Sequence, residues 1–190
     1  MSWTVVIIAI VAIVFLYVIS KYNDLVKKNV AVNNAWSQID VQLKRRHDLI
    51  PNLVEVVKQY AKHERETLTK VIEARNAAVT AAKGSSVEET AQAERALTSA
   101  LRQIFALAEN YPNLKANENF AKLQEELTST ENRIAFARQH YNDSVSIFNT
   151  AIQQFPTNIV ANMFNFRRRE FFEIDDARRE ELEEAPKLNF

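Results

Sequence analysis

Residues 21–60, KYNDLVKKNVAVNNAWSQIDVQLKRRHDLIPNLVEVVKQY, carry one apolar rhythm from end to end. Tyr22, Leu25, Asn29, Val32, Trp36, Ile39, Leu43, Arg46, Ile50, Leu53, Val57 and Tyr60 step by alternating threes and fours. That is the a/d spacing by which one helix packs on another. Pro51 stands inside this seam. A proline in a helix interior costs about 3 kcal/mol, removes one backbone hydrogen bond and crowds the preceding turn. The apolar phase is the same on both sides of it, so the spacing predicts a kinked helix rather than a loop. This first helix is expected to run on to about Lys83.

Upstream of the seam, Ser2 to Ser20 is uncharged and dominated by Val, Ile, Ala, Phe and Leu. At about 1.5 Å per residue the run reaches ~28 Å, close to the ~30 Å hydrocarbon core of a bilayer. Trp3 stands at one edge and Tyr17, Lys21 and Tyr22 at the other, residue types that favour the membrane interface. A cleaved signal peptide wants a basic leader, a shorter apolar stretch and a small-residue cleavage site. No basic residue precedes this run and nothing like Ala-x-Ala follows it before Lys21. The sequence therefore predicts an uncleaved transmembrane anchor over residues 1–20 and one helical domain over 21–190. Lys21, Lys27 and Lys28 follow the run, so the positive-inside rule places the N-terminus outside and the domain in the cytoplasm.

Downstream, Gly84-Ser85-Ser86 is the clearest break. Gly84 suits a left-handed position just past a helix end, and Ser86-Val87-Glu88-Glu89 matches a capping box. A second helix follows with Ala93, Leu97, Ala100, Ile104, Leu107 and Tyr111 on one face, and Asn110-Tyr111-Pro112-Asn113 turns the chain again. A third, from about Asn113, shows Phe120, Leu123, Leu127, Thr130, Ile134, Ala137, Tyr141, Val145, Phe148, Ile152 and Phe155 at the same spacing, and Pro156 ends it. A last segment, about Asn158 to Glu184, sets Phe164, Phe166, Phe171 and Phe172 around Arg167-Arg168-Arg169 before an acidic tail expected to be helical. The predicted fold is all-α: the anchor continues into an antiparallel up-and-down bundle of three long helices plus a C-terminal segment.

Composition restricts the chemistry. One Gly in 190 residues leaves no Gly-rich phosphate loop and no Gly-x-Ser-x-Gly elbow, and the lack of Cys removes thiolate zinc sites and cysteine nucleophiles. Lys+Arg 24 balance Asp+Glu 24, so no net field recruits nucleic acid. His63-Glu64 begins like a zinc-protease motif, but position 67 is Thr and the second ligand is missing. Lys44, Tyr60 and Ala137 stand three residues before His47, His63 and His140, so no Glu-x-x-His pair exists for a di-iron site. Each His reads as a solvated surface residue. An enzyme is not expected, and neither is a metal or cofactor. The informative polar residues lie on or beside the seams: Arg45, Arg46 and Asp48 in the first helix, and Glu131, Asn132, Arg138, Tyr141, Asn142 and Asn149 in the third. Such groups pair across a helix interface, because leaving one buried and unpaired costs about 1–3 kcal/mol and more for a charge. The alternative is that they simply face water or reach out past the core edge. Arg46, Asp48, Glu131 and Arg138 as one buried network is the sharper expectation.

Two stretches of this sequence carry a family resemblance. Trp36-x-Gln38-Ile39-Asp40-Val41-Gln42-Leu43-Lys44-Arg45-Arg46, continuing into Asp48-Leu49-Ile50-Pro51-Asn52-Leu53-Val54, resembles the first signature of the LemA family. Thr130-Glu131-Asn132-x-Ile134-Ala135-x-Ala137-Arg138-x-x-Tyr141-Asn142, followed by Val145-x-x-Phe148-Asn149, resembles the second, and Tyr111-Pro112-x-Leu114-Lys115-Ala116 and Phe155-Pro156 fit as well. The resemblance covers essentially the whole chain. It implies a bacterial inner-membrane protein with one N-terminal span and a helical-bundle domain. It also implies an accessory role beside a membrane-embedded zinc metalloprotease in membrane-protein quality control, and it brings no catalytic residue with it.

Two functional classes follow. One is a membrane-anchored interaction or scaffold protein that self-assembles; the other is a tethered sensor whose polar stripe around Arg138 and Asn142 binds a small acidic molecule. Self-assembly rests on length. A first helix from Lys21 to Lys83 would span roughly 95 Å, against roughly 37 Å and 65 Å for the other two. Its membrane-proximal third then lacks a partner while Tyr22, Leu25, Val32 and Trp36 share one face, so this face is the predicted contact between identical subunits. The alternative is that the Phe164 to Phe172 segment folds back and covers this face within one chain. The lipid bilayer is the other expected partner.

Overall fold

The computed structural model describes residues 3–84 and 86–173. They are 85% helical with no strand among them, in the order α1 (Trp3–Tyr60), α2 (Arg65–Ala81), α3 (Val87–Ala108), α4 (Pro112–Lys115), α5 (Glu118–Gln153) and α6 (Thr157–Met163). The acidic tail expected to be helical lies outside the described residues. Packing divides the described chain into two compact units. Residues 3–39 with 137–170 form one, and 40–136 with 171–173 the other.

In the second unit the seam of α1 delivers Ile50, Leu53, Val57 and Ala61 into a core shared with Leu68, Val71 and Ala78, with Leu97, Leu101 and Ile104 of α3, and with Leu114, Phe120 and Leu127. Pro51 lies inside α1 on its exposed side. Its missing N–H would have bonded the His47 carbonyl. That carbonyl instead accepts from Arg75 Nε of α2 at 3.2 Å. We expect Pro51→Ala to keep the helical circular dichroism and raise the melting temperature. We also expect it to reduce the loss caused by Arg75→Ala, which should be about 1.5–3 kcal/mol in the native sequence for a charge-assisted bond. A Pro51→Ala chain that loses helicity would contradict this account.

The first helix does not reach Lys83. It ends at Tyr60, and Ala61-Lys62-His63-Glu64 turn the chain into α2. No Gly or Pro marks the turn. Buried Val57, Ala61, Leu68, Val71 and Ala78 keep the rhythm of threes and fours through half-buried Glu64, so periodicity carries no trace of the break. The turn is held by Glu64 N donating to the Ala61 carbonyl at 3.1 Å and by Tyr111 Oη donating to Glu64 Oε1 at 3.1 Å. What favours it is the burial of Leu68 and Val71 in the core shared with α3, each contributing about 1.5–3 kcal/mol.

Gly84 does not take the left-handed conformation expected of it. Bonds from Lys83 N to Thr80 O and from Gly84 N to Ala81 O tighten the end of α2 without one. The capping box is present: Ser86 Oγ accepts from Glu89 N, and the Glu89 carboxylate accepts from Ser86 N, each at 3.2 Å. The third long helix starts at Glu118 rather than near Asn113. A single turn, Pro112–Lys115, precedes it, and Asn117 Oδ1 accepts from Phe120 N at 3.0 Å as an N-cap.

In the first unit, α5 runs antiparallel to α1, and the chain after α6 returns along both. Tyr141 packs on Trp36 with ring centroids 5.3 Å apart, and Tyr22 meets Phe164 at 4.6 Å and Phe166 at 5.9 Å. Leu25 and Val32 are fully buried. The face predicted to bind a second subunit is therefore covered by the chain's own α5 and return segment, and the expectation of an assembly contact through Tyr22, Leu25, Val32 and Trp36 is corrected. The alternative, that the Phe164 to Phe172 segment folds back over this face, is what the structure contains: Phe164 and Phe166 pack on Tyr22 in the place that helix length assigned to a partner.

Candidate functional site

Glu94 is the most deeply buried charged residue among those described, with no exposed surface. It sits on α3 three residues before Leu97 and seven before Leu101, so the helix aims it into the core. Arg46, on the α1 seam and also buried, donates to Glu94 Oε2 at 3.3 Å and to Thr98 Oγ1 at 2.7 Å. The nitrogen that meets Thr98 also lies 3.3 Å from Glu131 Oε2 of α5. His47 Nε2 lies 2.6 Å from Glu94 Oε1. Both Glu94 oxygens are thus occupied, one by a guanidinium and one by an imidazole. The cluster ties α1, α3 and α5 together, and a cavity of about 230 Å³ beside Arg46 is lined by Arg102, Phe105, Thr128, Glu131 and Asn132.

The sequence-predicted stripe is distributed between the two units. Arg46 and Glu131 meet. Arg45 lies 3.9 Å from Glu126 on the surface, and Asp48 pairs with Lys44 at 3.0 Å in solvent, outside the buried cluster. Arg138, Tyr141, Asn142 and Asn149 belong to the first unit. There Asn149 accepts from Arg169 N at 2.8 Å and donates to Arg169 O at 2.9 Å, and Tyr141 donates to Glu170 O at 2.9 Å. Both side chains clamp the returning backbone. The expected single network of Arg46, Asp48, Glu131 and Arg138 is accordingly corrected. Equal helical spacing puts these groups on one face, but the neighbour of that face changes along the 36 residues of α5. Burial pushes the Tyr141 phenol above its ordinary value, with Arg169 opposing and Glu170 reinforcing the rise. Stability linked to the neutral phenol is complete below the ordinary tyrosine value and is lost as pH rises from there through the raised folded-state value.

Glu94, Thr98 and His47 were missed. His47 is buried and partnered, against the expectation of a solvated surface residue. A signal was present: Glu94 is the one charged residue in the step Glu94, Leu97, Leu101, Ile104, Ala108. Among the described residues no group of three or more His, Asp or Glu side chains is placed to hold a metal.

The Arg46 and Glu131 that meet here come from the two signature stretches, and the LemA family model matches residues 35–190, which contain both. The chain belongs to the LemA family. Among curated relatives, Magnetosome protein MamQ 1 and MamQ 2 of Paramagnetospirillum magneticum are 26% identical over 176 residues, covering 80% of this chain and 65% of their own length. Protein LemA of Metamycoplasma hominis is 28% identical over 177 residues, covering 92% of this chain and 78% of its own. The chain thus spans just under two-thirds of the length of the MamQ relatives it matches. None of these is the name of an enzyme. Arg46 lies in the first signature stretch and Glu131 in the second; His47, next to Arg46, and Glu94, on the helix between, join them.

Proposed function

We propose that this LemA-family chain is a membrane-anchored helical interaction scaffold, acting as an accessory factor to a membrane protease in envelope quality control. The observation that carries the reading is the contrast within α1. One 18-residue window is long and apolar enough to cross a membrane and has none of its residues buried, while the same helix goes on to bury Leu25 and Val32 in the first unit and Ile50, Leu53 and Val57 in the second. A helix exposed and apolar at one end and packed at the other suits a tether that holds a folded domain at a bilayer. For the protease partner and for self-assembly the support is family membership and membrane confinement, which raises the effective concentration of neighbours. Crosslinking mass spectrometry in native membranes tests both: recovery of a membrane protease supports the reading, and recovery of neither a protease nor a second copy removes it.

The reading includes a cytoplasmic domain, from Lys21, Lys27 and Lys28 after the span. Protease added to intact spheroplasts should leave a C-terminal tag untouched; loss of the tag would reverse the orientation.

A tethered sensor is the second reading, with its site moved from the Arg138–Asn142 stripe to a groove of about 590 Å³ lined by Val54, Leu68 and Ile72 together with Lys58, Lys62, Arg65 and Glu73. Small carboxylates that raise the melting temperature of the native chain, but not of a Lys58→Gln, Lys62→Gln variant, would support it.

A further inference from the structure

The short helix α6 is apolar on two sides. Thr157, Val160 and Ala161 face inward and are buried. Outward stand Ile159 at 55% and Met163 at 65% exposed, flanked by Phe155 at 80% and Phe164 at 46%. A surface helix in contact with water alone carries polar side chains outward, and contiguous exposed apolar groups mark an interaction surface.

Position says what covers them. Phe164 stacks on Tyr22, immediately after Lys21 closes the apolar run of α1. Phe148 of α5 meets Phe166, which itself lies on Tyr22, and the antiparallel α5 ends five residues further on, at Gln153. Residues 3–16 of the run are exposed, whereas Tyr17 and Val18 at its end are half-covered. The outward face of α6 therefore stands at the level where α1 leaves the apolar layer. Charge agrees: exposed Arg167 and Arg168 follow directly, and Lys21 and Lys27 flank Tyr22, on which Phe164 stacks. Arg169 is turned the other way, donating to Asn29 and Asn33.

We infer that Phe155, Ile159, Met163 and Phe164 form a second membrane contact, immersed in the headgroup layer of the leaflet at the C-terminal end of the span, with Arg167 and Arg168 on anionic phospholipid headgroups. Exposed aliphatic and aromatic side chains enter the boundary between headgroups and acyl chains, and basic side chains at that depth add attraction to anionic lipid. The contact fixes the first unit against the bilayer at two points, where the span alone would leave it free to swivel. It rests on the anchor reading above.

The chain has no Cys, so single cysteines label cleanly. The full-length protein, carrying a fluorophore at Val6→Cys, Ile159→Cys, Met163→Cys or Asn34→Cys, is reconstituted in phosphatidylcholine vesicles with and without phosphatidylglycerol, using brominated lipids as quenchers. Asn34 is exposed on α1, about 18 Å along the helix from Tyr22. The expected result is strong quenching at Val6, clear quenching with a blue shift at Ile159 and Met163, and none at Asn34. Phosphatidylglycerol should deepen the quenching at Ile159, and Arg167→Gln with Arg168→Gln should remove that increment; an unchanged increment overturns the headgroup contact. Quenching at Val6 with none at Ile159 and Met163 overturns this inference and leaves the anchor standing. No quenching at Val6 overturns the anchor and this contact with it. Disulfide-linked dimers of the unlabelled Ile159→Cys protein, with the labelled protein unquenched at that position, would assign the face to a second copy of the chain instead.

Discussion

Glu94→Ala is expected to destabilise the protein by about 3–5 kcal/mol, because it leaves the Arg46 guanidinium buried without its inner carboxylate. Glu131 remains, but it is 45% exposed and reaches only one of the two nitrogens. Arg46→Ala should cost a similar amount by stranding Glu94. The double change should cost clearly less than the sum, since each single change already breaks the same interaction. Asp48→Ala, which touches only solvent-exposed Lys44, should stay within about 0.5 kcal/mol. Thermal and urea unfolding of the full chain in detergent micelles, followed by circular dichroism, checks all four. Losses under about 0.5 kcal/mol for both Glu94→Ala and Arg46→Ala would mean that the cluster does not hold the helices.

The second large effect concerns the end of the described chain. Phe172 is completely buried, and its neighbour Phe171 is 42% exposed. Phe172→Ala should cost about 3–5 kcal/mol through lost apolar contact and the cavity left behind. Phe171→Ala should stay within about 0.5 kcal/mol. Arg95 of α3 donates to the Glu173 carbonyl, so the backbone beside Phe172 is held as well. The same unfolding measurement decides the matter. Equal effects at the two positions would show that the return segment is not part of the second unit's core.

Much of the helical architecture was legible one residue at a time. Pro51 stays in phase, and a phase-preserving proline inside a helix is what the structure contains. Ser86 and Glu89 formed their capping box because both partners lie within four residues of each other. The site was less legible. Arg46 stood out as a cation on an apolar seam, but Glu94, its counter-ion, lies 48 residues away. The apolar step of α3 marks Glu94 as core-facing, but nothing local names its partner. His47 went unrecognised for the same reason.

The sequence by itself determined the helical class, the apolar run and its aromatic and lysine flanks, the seam of α1 and the helix start at Ser86. Each depends on neighbours within one or two turns, where spacing and local hydrogen bonding leave a direct trace. Only the tertiary structure decided that the chain turns at Ala61–Glu64, that Asn149 and Tyr141 clamp the return segment, and that Phe164 and Phe166 cover Tyr22. The turn keeps the rhythm of threes and fours, so it is invisible to periodicity. Its stability comes from Leu68 and Val71 finding α3, an interaction between residues some thirty positions apart. The covering of Tyr22 joins residues more than a hundred positions apart, and a helical seam read from spacing states only that a face is apolar, never which part of the chain will bury it.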